Sequence, residues 1–328
     1  MPTPKKDKTE LQRELIRYDP AAEEQRLNYL NSETPNTVEQ KQIFEYTMNA
    51  INENKSEVIF IQGVGGSGKT TLAKTIIAAS RRAKGLLCAG CASTALAATN
   101  YENFDTAHGL FKFPVVEEDD KETNEEIKCR VKEYPERLEL LQHIKLIVWD
   151  EFPSNHREVF ESVYKSLDYF KNKIIICMGD FRQIAPVVPG GNRDDKVNAS
   201  IKASPHRTRF TKLFLTKNMR LDQQNMNPRE LEEQKRYGEL ILAIGEGLYD
   251  NQDADMLFEN KETGEQTYRI GNITHFTNQN DALNFIYPHG FSSCEEMKTK
   301  AILASTNTEV DLWNEEIQNL NLNSIHTL

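Results

Sequence analysis

Apolar residues along the chain recur at two different spacings. Leu11, Leu15 and Ile16, then Leu27 and Leu30, sit in polar sequence interrupted by Asp19-Pro20, which predicts a helical lead-in up to about residue 34. Val38, Ile43, Phe44, Met48 and Ile51 recur at helical spacing, and Val58-Ile59-Phe60-Ile61 follows as a run of strand length. That strand enters a glycine-rich turn and then a helix, Thr70 to Ser80. The alternation continues with a strand near Leu86 to Cys91, a short helix from about Thr94, an acidic helical region, a strand at Lys145 to Trp149, a helix near His156 to Phe170 and a strand at Lys173 to Met178. Short apolar strands separated by helices predict a parallel sheet covered on both faces, an α/β core. Past Arg220 the pattern loosens. A long helix from about Arg229 to Ile244 ends at Gly245-Glu246-Gly247, and a strand at Ala301 to Ala304 precedes a helix from Thr308.

Composition narrows the class. The 328 residues are 38% hydrophobic and 27% charged, which excludes a disordered, collagenous or disulfide-stapled chain and suggests about two domains. The longest apolar runs, such as Ile174-Ile175-Ile176-Cys177, fall far short of the roughly 20 residues a membrane helix needs, so no membrane partner is expected. The stretch Met1 to Asp7 has no apolar run after its lysines, which argues against a secretory signal and for an intracellular location. Five cysteines, an odd number, fit a reducing compartment. Cys88 and Cys91 form a C-x-x-C, but no second Cys or His pair stands nearby to complete a zinc site, and both read as small apolar residues of a buried strand.

The formal net charge is -10, opposite to that of a protein relying on non-specific attraction to phosphate. Any nucleic-acid role must therefore rest on a local groove. The charge is partitioned: Glu117-Glu118-Asp119-Asp120 and Glu125-Glu126 concentrate acid, whereas Ile201 to Arg220 carries Lys202, Arg207, Arg209, Lys212, Lys217 and Arg220 and no carboxylate.

Gly63-Val64-Gly65-Gly66-Ser67-Gly68-Lys69-Thr70 matches G-x-x-x-x-G-K-[ST], the phosphate-binding loop. Glycines let the backbone curl so that several N–H groups face a phosphate, and the next helix adds its positive end. Lys69 reaches the β and γ oxygens and Thr70 ligates Mg²⁺. By chance this pattern arises in on the order of one chain in a hundred of this length. Leu146-Ile147-Val148-Trp149-Asp150-Glu151 is an apolar strand ending in two carboxylates. Beside a phosphate loop they form the second half of an NTPase site: Asp150 holds Mg²⁺ through its water shell, and Glu151 orients and deprotonates the attacking water. Gln183, in Gly179-Asp180-Phe181-Arg182-Gln183 at a third strand end, is a candidate γ-phosphate sensor, since an amide both donates and accepts. Arg220, after Phe214-Leu215-Thr216, is a candidate arginine finger.

The succession of Gly-Ser-Gly-Lys-Thr, Trp149-Asp150-Glu151, Gly179 to Gln183 with Pro186-Val187-Val188-Pro189, and Leu215-Thr216-Lys217-Asn218-Met219-Arg220-Leu221 resembles the superfamily 1B helicases, and within them the petite-integration-frequency family of DNA helicases. The pairs His156-Arg157 and Phe160-Glu161, with Val197-Asn198-Ala199-Ser200-Ile201, resemble the branch carried by Helitron transposons. The likeness runs from about residue 10 to the end. It implies a P-loop, RecA-like sheet, with ATP and Mg²⁺ bound by Gln40 (on adenine), Gly63, Gly65, Gly66, Ser67, Gly68, Lys69, Thr70, Thr71 and Asp150. It also implies that Ser93, Thr94, Thr106, His108, Phe111 and Pro114 lie along single-stranded DNA, where hydroxyls hold phosphates and rings offer faces to bases.

Three departures stand out. Relatives carry a glycine where Ala95 stands, and a Gly-Gly-Arg where this chain has Asn103-Phe104-Asp105, so that Asp105 replaces a positive charge near the expected DNA path. The late motifs of a second RecA-like lobe are not found before Leu328. The expected organisation is a helical lead-in (1–34), a RecA-like ATPase lobe (35–220) and an incomplete second RecA-like lobe (221–328). The implied function is an ATP-dependent, 5′-to-3′ DNA helicase in the nucleus, a monomer on single-stranded DNA or on DNA with a 5′ overhang. It would serve repair, recombination, telomere maintenance or transposon replication. The alternative is a truncated remnant that binds ATP, with or without DNA, and does not unwind. A nucleotide kinase would share the phosphate loop but leaves Gly179 to Gln183 and Arg220 unexplained.

Overall fold

The apolar runs at 58–61, 146–149 and 174–178 become neighbouring strands of one sheet. The computed structural model describes residues 8–33, 37–114, 128–219, 227–246, 257–259, 266–268, 276, 278–287, 300–304 and 306–325. The acidic stretches at 117–120 and 125–126 and the candidate finger Arg220 lie outside the described residues. Residues 1–249 and 250–328 form two separately packed units.

In the first unit the strands are β1 (Glu57–Gly63), β2 (Cys88–Ala92), β3 (Asp105–Thr106), β4 (Leu146–Asp150), β5 (Ile174–Gly179) and β6 (Phe210–Leu215). They form a six-stranded parallel sheet in the order β3-β2-β4-β5-β1-β6. The helices are α1 (Glu10–Arg17), α2 (Pro20–Glu33), α3 (Val38–Asn52), α4 (Lys69–Lys84), α5 (Ala95–Ala98), α6 (Ala107–Phe111), α7 (Pro135–His143), α8 (Arg157–Ser166), α9 (Arg193–Ala199) and α10 (Pro228–Glu246). β6 is longer than the apolar stretch Phe214-Leu215-Thr216 suggests, because it is an edge strand and Lys212 remains exposed within it.

Alternation along the central strands sorts side chains between two cores. Val58, Phe60, Ile147, Trp149, Ile175 and Cys177 join an aromatic cluster with Phe111, Phe152 and Phe160 on one face. Ile59, Ile61, Leu146, Val148, Ile174, Ile176 and Met178 pack with Leu72, Ala73 and Ile76 of α4 on the other. β4 and β5 are buried along their whole length, as expected for parallel strands covered on both sides. The C-x-x-C is split by the same alternation: Cys88 joins the aliphatic layer and Cys91 the aromatic one. Burial pushes the Cys88 thiol up to about 12, so it behaves as an apolar side chain.

The lead-in helices are held by caps and by the sheet unit. Thr9 with Gln12 forms a capping box on α1, and Asp19 ends the break before Pro20 by accepting the Ala22 N–H at 3.1 Å. Leu27 of α2 is buried against Ala78 and Ala79 of α4. Beside it Arg81 stands 3.6 Å from Glu23 and stacks over the Tyr18 ring.

In the second unit, β7 (Leu257–Glu259) and β8 (Gln266–Tyr268) form an antiparallel pair, and α11 (Gln279–Ile286) is capped by Asn278. A helix α12 (Asn307–Ile325) corresponds to the one predicted from Thr308. Residues 301–304 do not form the predicted strand. They pair with no described strand, and Leu303 is 94% exposed, so the short apolar run lacks the partner that a ladder requires.

Candidate functional site

The phosphate loop joins β1 to α4. Gly63 ends the strand, Gly65 and Gly66 make the turn, and α4 starts at Lys69 behind Gly68, which has φ 79° and no capping side chain. A Cβ on Gly68 would lie 2.4 Å from Gln40 Nε2, so this position needs glycine for space as well as for conformation. Gln40 is buried over the loop: its Oε1 accepts the Thr37 N–H at 2.9 Å and its Nε2 donates to the Ser67 carbonyl at 3.0 Å. The Ser67 hydroxyl is buried without a hydrogen-bond partner, and Thr71 lies in the first turn of α4.

Lys69 is 9% exposed and donates to the carbonyls of Gly63 at 2.8 Å and Val64 at 3.1 Å. Burial lowers its pKa from the usual lysine range, while Glu151, Asp180 and Asp150 together act to keep it charged. An ammonium, an unpartnered buried hydroxyl and uncapped amides at a helix start make a donor set suited to phosphate oxygens.

Glu151 follows β4 in a left-handed conformation, φ 49° and ψ 33°. For a residue with a Cβ this costs on the order of 1–3 kcal/mol, a type of strain concentrated at functional sites. Burial, then the neighbouring Asp150, raises its carboxyl above the ordinary value, with Lys69 pulling the other way. Asp150 is buried; its Oδ1 accepts the Glu151 N–H at 2.8 Å and its Oδ2 the Tyr101 hydroxyl at 2.6 Å. The Thr70 hydroxyl lies beside the same Tyr101 oxygen. Thr70 and Asp150 thus approach one another, and a hydroxyl with a carboxylate is a donor pair suited to a hard divalent cation.

The third strand end is pressed against this acid turn. A Cβ on Gly179 would sit 2.2 Å from Pro153 Cδ, so glycine permits the turn Asp180 to Gln183 to approach. Asp180 is buried and pairs with Arg182 Nε at 2.8 Å. Gln183 is exposed and lines a cleft of about 880 Å³ with Val64, Gly65, Arg182, Thr216 and Tyr237. The chain after β6 is tied to the loop and to α3: the Met219 N–H donates to the Gly66 carbonyl at 2.9 Å, and Glu39 of α3 accepts from the Thr216 N–H at 2.9 Å.

The candidate DNA strip is differently built. Thr94 and Thr106 are helix caps, accepting the Ala97 N–H at 3.1 Å and the Gly109 N–H at 3.0 Å. The Ser93 hydroxyl donates to the Glu151 carbonyl at 2.5 Å and accepts from Asn155 Nδ2, bracing the acid turn. His108 is exposed and packs beside Phe113, and Pro114 is half-buried. Asp105 turns its carboxylate onto the Thr106 N–H at 2.7 Å. Phe111 corrects the sequence expectation: it is fully buried, 5.2 Å from Trp149 between ring centroids, and offers no face to a base. The structure therefore gathers Gln40, the loop, Asp150, Glu151 and Gln183 in the first unit around one strand-end region. It adds Tyr101 and Asp180, which sequence reasoning left out. Asp180 could have been found from its place in Gly179 to Gln183; Tyr101, in no motif, carried no signal.

A family model described as PIF1-like helicase matches residues 36–255, about two thirds of the chain. Among solved structures, Bacteroides Pif1 bound to ssDNA is 21% identical with a TM-score of 0.48, over 68% of this chain and 49% of that one. The Candida albicans Pif1 helicase is 19% identical with a TM-score of 0.45, over 56% and 40%. A structure of two coordinating Pif1 helicases at forked dsDNA is 22% identical with a TM-score of 0.48, over 68% and 51%. The chain spans about half the length of these matched structures. No curated protein matches it.

Proposed function

Because the chain belongs to the PIF1-like helicase family, we propose that it acts as an ATP-driven DNA helicase, moving 5′ to 3′ on single-stranded DNA. The observation that carries this reading is the buried Lys69, held on the phosphate-loop carbonyls in the field of Asp150, Glu151 and Asp180. In this reading Lys69 leaves the Gly63 and Val64 carbonyls to bind the β and γ oxygens of ATP, and the first amides of α4 bind the β-phosphate. Thr70 and Asp150 hold Mg²⁺, which when bound neutralises charge on the β and γ oxygens. Glu151 takes a proton from water as the water oxygen bonds to the γ-phosphorus. The bond from that phosphorus to the β–γ bridging oxygen breaks, and ADP leaves with the electron pair. Gln183 and Arg220 respond to the γ-phosphate, coupling its loss to motion on the strand.

Polarity, a monomeric state on DNA, nuclear location, the Helitron branch and roles in repair, recombination, telomere maintenance or transposon replication belong to the same reading, supported by the motif residues quoted from the sequence. The test is ATP hydrolysis by this chain with and without single-stranded DNA, followed by strand displacement on duplexes with 5′ or 3′ overhangs. We expect stimulation by DNA and unwinding from the 5′ overhang. Lys69→Ala is expected to lower hydrolysis on the order of 10³-fold, the scale of losing a charge that stabilises the transferring phosphoryl group. Hydrolysis by that variant at the parent rate would overturn the phosphate-loop assignment. Hydrolysis without displacement from either overhang would favour the non-unwinding alternative.

A further inference from the structure

Tyr101 lies outside every motif, yet it is 7% exposed and its hydroxyl touches both oxygen donors of the proposed metal pair. A phenol has one proton and two lone pairs. The proton is used on Asp150 Oδ2 at 2.6 Å, so the neighbouring Thr70 hydroxyl can bond the tyrosine oxygen only as a donor. Such a bond completes a relay, Thr70 to Tyr101 to Asp150. With its proton turned toward Tyr101, the Thr70 oxygen keeps its lone pairs free, and Asp150, held at its other oxygen by the Glu151 N–H at 2.8 Å, is fixed in orientation.

The ring is itself fixed. It stacks on Phe104 with centroids 4.0 Å apart and planes 8° from parallel, and Lys74 stands 5.7 Å from its centroid. The segment that bears it is tied to the lead-in helices, through Arg26 on Glu102 at 2.5 Å and Asn103 on the Tyr18 hydroxyl at 3.2 Å.

We propose that Tyr101 is a positioning residue of the divalent-cation site, presetting the Thr70 hydroxyl and the Asp150 carboxylate so that the cation meets both without rearrangement. This rests on the nucleotide-site reading above. Groups that orient metal ligands without touching the metal typically change affinity by about 10–100-fold.

The test is Tyr101→Phe, which keeps the ring and its stack and removes only the hydroxyl. Mn²⁺ binding to the chain with saturating ADP, followed by electron paramagnetic resonance, is expected to weaken about tenfold. Binding of a fluorescent ADP analogue without divalent cation is expected to stay within twofold, and serves as the control for folding. A variant with parental Mn²⁺ affinity overturns the proposal. So does one that loses metal-free nucleotide binding to the same degree, since Tyr101 would then be only a structural support. If the parent chain itself binds no Mn²⁺ with ADP, the nucleotide-site reading fails before Tyr101 is tested.

Discussion

The ends of β1, β4 and β5 and the ends of β2 and β3 belong to one sheet, yet their polar residues are used in different ways. At the first set, charges are buried close together: Lys69 lies in the field of three carboxylates, Glu151 is held in a left-handed conformation, and Gly68 and Gly179 stand where a Cβ would collide. None of this is needed to make a sheet. At the second set, Thr94 and Thr106 do what hydroxyls do at any helix start, and Phe111 fills the core. Left-handed backbone by itself does not separate the two regions, since Asn103 and Lys112 of the strip adopt it as Glu151 does; buried charge marks the chemical site, whereas hydroxyls and aromatics in a strip have sufficient local reasons to be there. Ser93 links the two, since it stands on the strip but bonds to the Glu151 carbonyl.

The contrast can be broken by experiment. Glu151→Gln should lower hydrolysis by about 10²–10³-fold while nucleotide binding persists, because only proton transfer is removed. Its pH dependence carries a sign: the raised carboxyl pKa means the base is lost to protonation earlier as pH falls, so the acid limb of the parent's kcat/KM profile, which reports the free chain, should lie above the ordinary glutamate value. A limb at or below that value would deny Glu151 the role of base. Phe111→Ala should cost about 3–5 kcal/mol of stability as a cavity beside Trp149, read by denaturant unfolding. Unchanged stability with weaker DNA binding would return Phe111 to the DNA path. Ser93→Ala should slow hydrolysis about threefold to tenfold by freeing the acid turn, the scale of one hydrogen bond, with a smaller change in DNA affinity. Thr94→Ala should cost about 1 kcal/mol as a lost cap. If its DNA affinity falls while unfolding is unchanged, the strip binds DNA through Thr94.

Legibility followed constraint. The apolar runs identified the central strands because strands covered on both faces must be apolar throughout, and the turn at Gly63 to Thr70 was readable because its geometry admits few residues. The predicted strand at 301–304 failed because a run of four apolar residues says nothing about a pairing partner. β6 was read short because Lys212 is tolerable at a sheet edge.

By itself, then, the sequence determined the α/β core, the phosphate loop and the acids at a strand end, since those follow from local periodicity and from residue types with few substitutes. Only the tertiary structure decided that β5 lies between β1 and β4, that the two cysteines of the C-x-x-C point into opposite layers, and that Ser93 braces the acid turn. It alone brought Tyr101, 31 residues from Thr70 and 49 from Asp150 along the chain, into contact with both. Strand order and side-chain contacts across a sheet depend on which segments bury one another, and no local pattern of residues records that.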